Sequence, residues 1–139
     1  MSEANSLLMG GPVALVTTIW RGEPNVIPIS WFTPLSSDPA LVGIAIEQSR
    51  YSTDLLGHAS EFALNIPTRS LASHVEYLGS LSGADLNKLG HLGVDTSLID
   101  DRQCVTVCCA GLYLSAGARS RAALRRVECS LFLQSRFAD

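Results

Sequence analysis

The sequence lacks any apolar run of the roughly 20 residues that a membrane-spanning helix needs. It also lacks an excess of positive charge, because ten Lys and Arg residues stand against 13 Asp and Glu residues and leave a formal net charge of -3. We therefore expect no nucleic-acid partner and no membrane partner. The opening residues MSEAN lack the basic start of a signal peptide, which favours a cytoplasmic location.

Paired metal ligands are missing as well. The four cysteines all lie in the last third of the chain, at Cys104, Cys108, Cys109 and Cys129. They form no Cys-x-x-Cys pair, and no histidine follows His91, so the spacing typical of a structural zinc site does not occur. We expect free thiols and no metal site.

Apolar residues make up 47% of the 139 residues, which is enough to build one hydrophobic core. We therefore predict a single domain over residues 1–139. Residues 13–20 and 26–32 are rich in β-branched and apolar side chains and flank the turn sequence RGEPN, a pattern that predicts a β-hairpin. Pro28 cannot donate to a strand ladder, so it predicts an edge position or a bulge.

The next segments predict short helices set between strands. Residues 34–39 favour a loop, and residues 40–46 predict a third strand that is apolar, and therefore buried, on both faces. The apolar spacing of residues 51–59 predicts a helix. Residues 61–66 predict a fourth strand closed by Pro67, and the fold class that follows is mainly β, or β-rich α+β.

Two further helices are predicted in the middle of the chain. Thr68 or Ser70 can cap a helix that continues to about Leu78. Residues 85–89 predict a short third helix that is ended by Gly90.

The last third differs in composition from the rest. Residues 1–101 carry four basic and eleven acidic residues, whereas residues 102–139 carry six basic and two acidic residues and no proline. We predict strands at residues 105–114 and 127–133, with either a basic helix or a flexible segment at residues 116–126. The break in composition fits a divergent or truncated C-terminal part, or a shifted reading frame.

Five sequence blocks occur in a characteristic order. They are GPVALVTT at 11–18, PNVIPISWFTPLSSDPALVGIAI at 24–46, SRYSTDLL at 49–56, EFALNIP at 61–67 and GSLSGADLNKL at 79–89. Together they resemble the flavin reductase-like family of FMN-binding split barrels, the group that includes flavoredoxin. The resemblance implies a Greek-key-like split β-barrel, usually a homodimer with one FMN in each of two clefts at the subunit interface.

The resemblance also implies a function. Members of the family take a hydride from NADH or NADPH onto FMN and pass it to a flavin or another acceptor, and the cofactor carries this chemistry without a protein nucleophile or base. The absence of a Rossmann glycine fingerprint means that the nicotinamide nucleotide would bind against the flavin. The alternatives are a non-catalytic or degenerate FMN-binding domain, and a related split barrel that uses haem, F420 or pyridoxal phosphate.

A cluster of hydroxyl groups around one arginine forms the candidate phosphate site. Ser49, Arg50, Ser52 and Thr53 stand at the start of the predicted helix. Free backbone N–H groups and the helix dipole favour an anion there, and arginine can bind phosphate in bidentate fashion. Without the family resemblance, the commoner interpretation is a serine helix cap beside a solvated arginine.

The resemblance assigns further FMN-binding residues. Ser30, Trp31 and Thr33 match the segment that lines the isoalloxazine ring, and Gln48 and Asn65 are weaker candidates. Adjacent strand residues point to opposite faces, so one of the aromatic residues in this segment also suits the barrel core.

The segment SGADLNK matches the family's Ser-Gly-x-Asp-x-Asp-Lys loop, and it adds Ser82 and Lys88 to the predicted site. Asn87 departs from the pattern because an acidic residue is usual there. A helix-capping Asp85 and a surface lysine are the alternative interpretation.

Overall fold

The computed structural model describes residues 11–38, 40–59, 61–93, 96–99, 102–105, 108–115 and 129–132. The strands in these ranges are β1 Ala14–Trp20, β2 Glu23–Ile29, β3 Phe32–Ser37, β4 Ala40–Ile44, β5 Glu61–Pro67, β6 Thr96–Ile99, β7 Arg102–Val105, β8 Cys108–Ser115 and β9 Cys129–Phe132. The α-helices are α1 Tyr51–His58, α2 Ala72–Ser80 and α3 Lys88–Leu92. This strand-rich α+β architecture confirms the predicted fold class.

The main sheet has five described strands in the order β2-β1-β5-β8-β9, and each neighbouring pair is antiparallel. Strands β3 and β4 form a separate antiparallel pair, and β6 and β7 form another. None of the helices in the described ranges is long and apolar enough to cross a membrane.

The β1–β2 hairpin is confirmed. Its two-residue turn consists of Arg21 and Gly22, which have positive φ values of 52° and 82°. A tight hairpin turn of this kind needs positive φ at both central positions because its twist then matches the twist of the strands. The prediction for Pro28 is also confirmed, since β2 is the outer strand of the five-stranded sheet and loses no ladder bond on its open side.

The prediction of a loop at residues 34–39 is wrong for most of its length, because β3 runs through it and pairs with β4. The register shifts between Pro34 and Ser36, and this irregularity accommodates a proline within the ladder. The burial predicted for both faces of the third strand is wrong as well. Val42 and Ile44 are only half-buried, since β4 has β3 as its one partner strand among those described.

Helix α1 and strand β5 lie where they were predicted. The helix predicted to begin at Thr68 or Ser70 starts later, after a 3₁₀ turn at Arg69–Leu71. The two hydroxyls do not cap it, because they bond to each other at 2.7 Å.

Helix α3 starts and ends three residues later than predicted. Asn87 caps it, with its side-chain oxygen accepting from the Gly90 N–H at 3.1 Å. Gly90 therefore lies inside the helix, and Gly93, at a φ of 61°, ends it. The capping residue is the same Asn87 that departs from the acidic pattern of the family.

The strands predicted in the C-terminal part correspond in part to described strands. The strand predicted at residues 105–114 is divided between β7 and β8, and β9 lies within the strand predicted at residues 127–133. The basic helix predicted at residues 116–126 falls outside the described residues.

Alternate residues of β1 and β2 enter two different hydrophobic clusters. Ala14 and Val16 pack in the first cluster, against which side chains of β3, β4 and α1 are placed. Leu15 and Val26 pack in the second cluster with Leu78 and other side chains of the helical layer. Because both faces of the hairpin are covered, its sequence is a continuous apolar run instead of an alternating one.

Asn65 is a buried polar residue at the centre of the main sheet, with 1% of its surface exposed. Its side-chain Nδ2 donates to the Leu15 carbonyl at 3.0 Å and to Thr17 Oγ1 at 3.1 Å. These bonds connect β5 with β1 in addition to the backbone ladder. The side chain therefore has a structural role between the two strands.

Replacing Asn65→Ala should lower the free energy of unfolding by about 1–3 kcal/mol, because its buried hydrogen bonds to β1 are lost. Urea denaturation measures this change. Ser37→Ala, on an exposed position of β3, is the matched control and should leave the stability almost unchanged. Equal effects of the two substitutions would contradict the structural role of Asn65.

Candidate functional site

Two adjoining pockets open beside the edge strand β2. One has a volume of about 300 Å³ and the other about 850 Å³. Both are lined by Ile27, Glu47, Arg50 and Gly79, so they form one continuous cleft. The cleft lies where β2, the start of α1 and the end of α2 meet.

The smaller pocket has the more polar walls of the two. In addition to the shared residues it is lined by Ser49, Tyr51, Ser52, Ser80, Leu81, Ser82, Gly83 and Lys88. We call it the polar pocket. It combines serine hydroxyls with two basic side chains, which is the donor set that an anion requires.

The larger pocket has mostly apolar walls. In addition to the shared residues it is lined by Pro28, Ile29, Ser30, Trp31, Ala45 and Ile46. We call it the apolar pocket. Trp31 is 51% exposed, and its carbonyl accepts from the Ala45 N–H at 2.9 Å, which ties the two sides of this pocket together.

The turn that leads into α1 shapes the polar pocket. The Glu47 carbonyl accepts from the Arg50 N–H at 3.0 Å and from Thr53 Oγ1 at 2.9 Å. Arg50 is the N-terminal cap residue of α1, and no side chain makes a capping bond there. The first N–H groups of an α-helix have no partner within the helix, so this end of α1 contributes further donors.

Arg50 forms an ion pair with Glu47, with 3.3 Å between Nε and Oε2. Both side chains are more than half exposed, so solvent weakens this pair. The pair engages the inner nitrogen of the guanidinium, and the group carries further N–H donors on its terminal nitrogens. A phosphate would compete with the Glu47 carboxylate for the same cation.

Lys88 is buried at the wall of the polar pocket, with 4% of its surface exposed. Its Nζ donates to the carbonyls of Val26 and Leu78, each at 3.2 Å. Burial lowers the pKa of the Lys88 ammonium below its ordinary value, and the positive charge of Arg50 lowers it further. An anion in the polar pocket would favour the charged form of Lys88.

Gly83, in the wall of the polar pocket, lies in close contact with Asn25 and Tyr51. A Cβ atom at this position would collide with the side-chain oxygen of Asn25 and would lie 3.1 Å from the Tyr51 ring. The loop can therefore approach β2 and α1 this closely only because residue 83 has no side chain.

The structure brings together seven of the eleven predicted site residues in the cleft. They are Ser30, Trp31, Ser49, Arg50, Ser52, Ser82 and Lys88. Ser82 also accepts from the Ala84 N–H at 3.2 Å and so shapes its own loop. Lys88 is buried in the cleft wall, not on the surface as the alternative interpretation had it.

The other four predicted residues do not line either pocket. Thr33 Oγ1 donates to the Pro34 carbonyl at 3.2 Å on the exposed β3, and Thr53 Oγ1 donates to the Glu47 carbonyl in the turn before α1. Gln48 is exposed in that turn, and Asn65 bonds to β1. A role of these four residues in flavin binding remains a prediction.

Sequence reasoning missed several residues of the site. Glu47, Gly79, Ser80 and Gly83 line the cleft, and the serine- and glycine-rich block at 79–83 was a usable signal for three of them. No pattern in the sequence marked Asn25 as a site residue, because it belongs to the segment RGEPN that predicted the hairpin turn. The structure places it in β2, where it is 4% exposed and bonded to Ser52.

The residues of the cleft fit FMN. FMN combines a dianionic phosphate with a flat, largely apolar ring, and the cleft combines a pocket of cations and hydroxyls with a larger apolar pocket beside it. A ligand pocket of this kind joins apolar walls to a few oriented polar groups. No group of three or more His, Cys, Asp or Glu side chains that could hold a metal occurs among the described residues.

Comparison with known proteins identifies relatives of this chain. A family model described as a flavin reductase-like domain matches residues 6–129, so the match continues beyond the blocks that carried the resemblance in the sequence. An uncharacterized protein of Archaeoglobus fulgidus is 42% identical over 72 residues, which cover 52% of this chain and 41% of that protein. The chain spans about half the length, or less, of the curated relatives it matches.

Solved structures share the fold. Flavoredoxin of Desulfovibrio vulgaris has a TM-score of 0.78 at 20% identity, over 90% of this chain and 70% of flavoredoxin. An FMN-binding protein from Thermus thermophilus with bound p-hydroxybenzaldehyde has a TM-score of 0.78 at 23% identity, over 91% of this chain and 73% of that protein. These similarities confirm the barrel fold that the resemblance implied.

Gly83→Ala should weaken FMN binding and lower the melting temperature, because the added methyl group forces the loop away from Asn25 and Tyr51. Gly79→Ala is the matched control for the melting temperature. Its Cβ would meet only Pro28, at 3.5 Å, which is an ordinary contact, and alanine is the better residue in a helix. FMN titration of Gly83→Ala and thermal unfolding of both variants measure these effects, and a Gly83→Ala variant with unchanged melting temperature would contradict the close packing of this loop.

Proposed function

We propose that this chain, which belongs to the flavin reductase-like family, binds FMN and uses it to pass a hydride from NADH or NADPH to a flavin or another acceptor. The observation that carries the proposal is the continuity of the cleft, in which cations and hydroxyls at one end lead directly into an apolar pocket at the other. The proposal includes a homodimer, as the family resemblance implies, and a single domain and a cytoplasmic location, as length, composition and the opening residues predict.

The polar pocket would hold the phosphate of FMN. Ser49, Ser52 and Arg50 would donate hydrogen bonds to its oxygens, together with the N–H groups at the start of α1. Lys88 would supply a second positive charge from the wall of the pocket. Glu47 competes for Arg50 and so limits the affinity for the phosphate.

The apolar pocket would hold the isoalloxazine ring. Ile29 and Ile46 supply apolar wall, while Ser30 supplies a polar group at the pocket edge and Trp31 borders the opening. When bound, FMN supplies the capacity to accept and release a hydride. The protein's task is then to orient the ring and to leave one side of it open to a nicotinamide.

Purified protein that has been mixed with FMN and freed of the excess should retain a flavin with a perturbed visible spectrum. The retained flavin should then be reduced by NADH or NADPH under anaerobic conditions and should support continuous oxidation of the nucleotide when free flavin is added. Free FMN at the same concentration is the control for both measurements. Retained flavin without reduction by either nucleotide would contradict the reductase and favour the non-catalytic FMN-binding domain.

Arg50→Ala should weaken FMN binding by about 1.5–3 kcal/mol, the typical contribution of a charged hydrogen bond. Binding of riboflavin, which has no phosphate, should change little. Arg69→Ala, in the exposed 3₁₀ turn outside both pockets, is the matched control and should leave both affinities unchanged. Flavin fluorescence titration measures the four dissociation constants, and equal losses for FMN and riboflavin would contradict the role of Arg50 at the phosphate.

A further inference from the structure

Asn25 and Ser52 form a buried pair behind the polar pocket. Each is 4% exposed, and Asn25 Nδ2 lies 2.8 Å from Ser52 Oγ. Asn25 belongs to β2 and Ser52 to the first turn of α1, so the bond connects the edge strand with the helix start. Ser52 lines the polar pocket, whereas Asn25 does not.

The direction of this hydrogen bond determines what the Ser52 hydroxyl can do. An amide NH₂ group donates and does not accept, so Ser52 Oγ must be the acceptor. A hydroxyl has a single proton, and within the described part of the chain no acceptor for it is found. The proton of Ser52 is therefore available for a ligand in the polar pocket.

The other end of the Asn25 amide faces Gly83. Its oxygen lies against Gly83, and in the described residues it has no hydrogen-bond partner. If the amide were rotated, its NH₂ group would face Gly83, and its oxygen would take the Ser52 proton away from the pocket. The close approach of Gly83 limits the room that is available to the amide.

The adjacent residue of β2 acts in a similar way. The Val26 carbonyl accepts one of the three N–H bonds of the Lys88 ammonium, as the Leu78 carbonyl accepts another. Two consecutive residues of the edge strand thus orient donors that line the same pocket. With Arg50, the polar pocket presents several donors to one ligand group.

We propose that Asn25 is a positioning residue that turns the Ser52 hydroxyl toward the polar pocket as a donor, so that the pocket selects a ligand group that only accepts hydrogen bonds. A phosphomonoester dianion is such a group. The inference rests on the proposed function for the identity of the ligand, FMN, but the donor role of Ser52 can be tested with a simple anion.

The experiment is a double-mutant cycle with Asn25→Ala, Ser52→Ala and the variant that carries both substitutions. Each single substitution should weaken FMN about tenfold, and the double substitution should be little worse than Ser52→Ala alone, because both remove the same oriented donor. Riboflavin binding should be unchanged in all three. Additive losses, or equal losses for riboflavin, would overturn the positioning role.

Asn25→Asp is the second variant, and it keeps the size of the side chain. Its carboxylate would accept a hydrogen bond from the Ser52 hydroxyl, which reverses the direction of the bond. The affinity for FMN should therefore fall further than in Asn25→Ala, while riboflavin still binds. Thermal unfolding without ligand shows whether each variant is folded. Unchanged FMN affinity in folded Asn25→Asp would overturn the inference.

Inorganic phosphate separates this inference from the proposed function. It should raise the melting temperature of the wild type more than that of Asn25→Ala or Ser52→Ala. A wild type that responds to phosphate in this way but binds no flavin would overturn the proposed function alone. A wild type that responds to neither phosphate nor FMN would overturn both.

Discussion

The buried ammonium of Lys88 is the interaction on which the site depends. It bonds the Val26 carbonyl of the edge strand and the Leu78 carbonyl of α2, and it belongs to α3 itself, so one charged group holds three elements at the cleft. A buried charge is costly unless it is both hydrogen-bonded and paired with an opposite charge, and the lowered pKa of Lys88 reflects this cost. An anion in the polar pocket would offset the cost, so the same group stabilises the fold and prepares the site.

The position of the cleft follows from the covering of the main sheet. One face of the β1–β2 hairpin packs on the layer that contains α2 and α3, and the other face packs on β3, β4 and α1. The two layers meet beside β2, the outer strand of the sheet, and there the ends of the helices and the side chains of β2 come together. A cleft with both polar and apolar walls results because helix termini supply unpaired donors while the flanks of the layers supply apolar side chains.

Similarity to solved flavin proteins at 20% and 23% identity shows that this fold tolerates extensive change in sequence. What the proposed function requires is narrower, namely donors for a phosphate beside an apolar pocket. Glu47, Asn25 and Gly83 carry no positive charge and no hydroxyl that would mark a phosphate ligand, yet they adjust the donors Arg50 and Ser52. A few side chains therefore supply the hydrogen-bond donors of such a site. Neighbouring residues that do not themselves resemble phosphate ligands orient these donors.

The sequence by itself determined the hairpin, α1, β5 and the cluster of hydroxyls around Arg50, because strands, tight turns and helix starts are specified by residues close together in the chain. Only the tertiary structure decided that Asn25 supports Ser52, 27 residues away, and that Lys88 bonds Val26, 62 residues away. It also decided that the Asn65 side chain bonds to β1 within the sheet. The local sequence pattern does not show which distant backbone groups need a hydrogen-bond partner. These pairings were decided when the layers packed together, because a backbone group that is buried needs a partner.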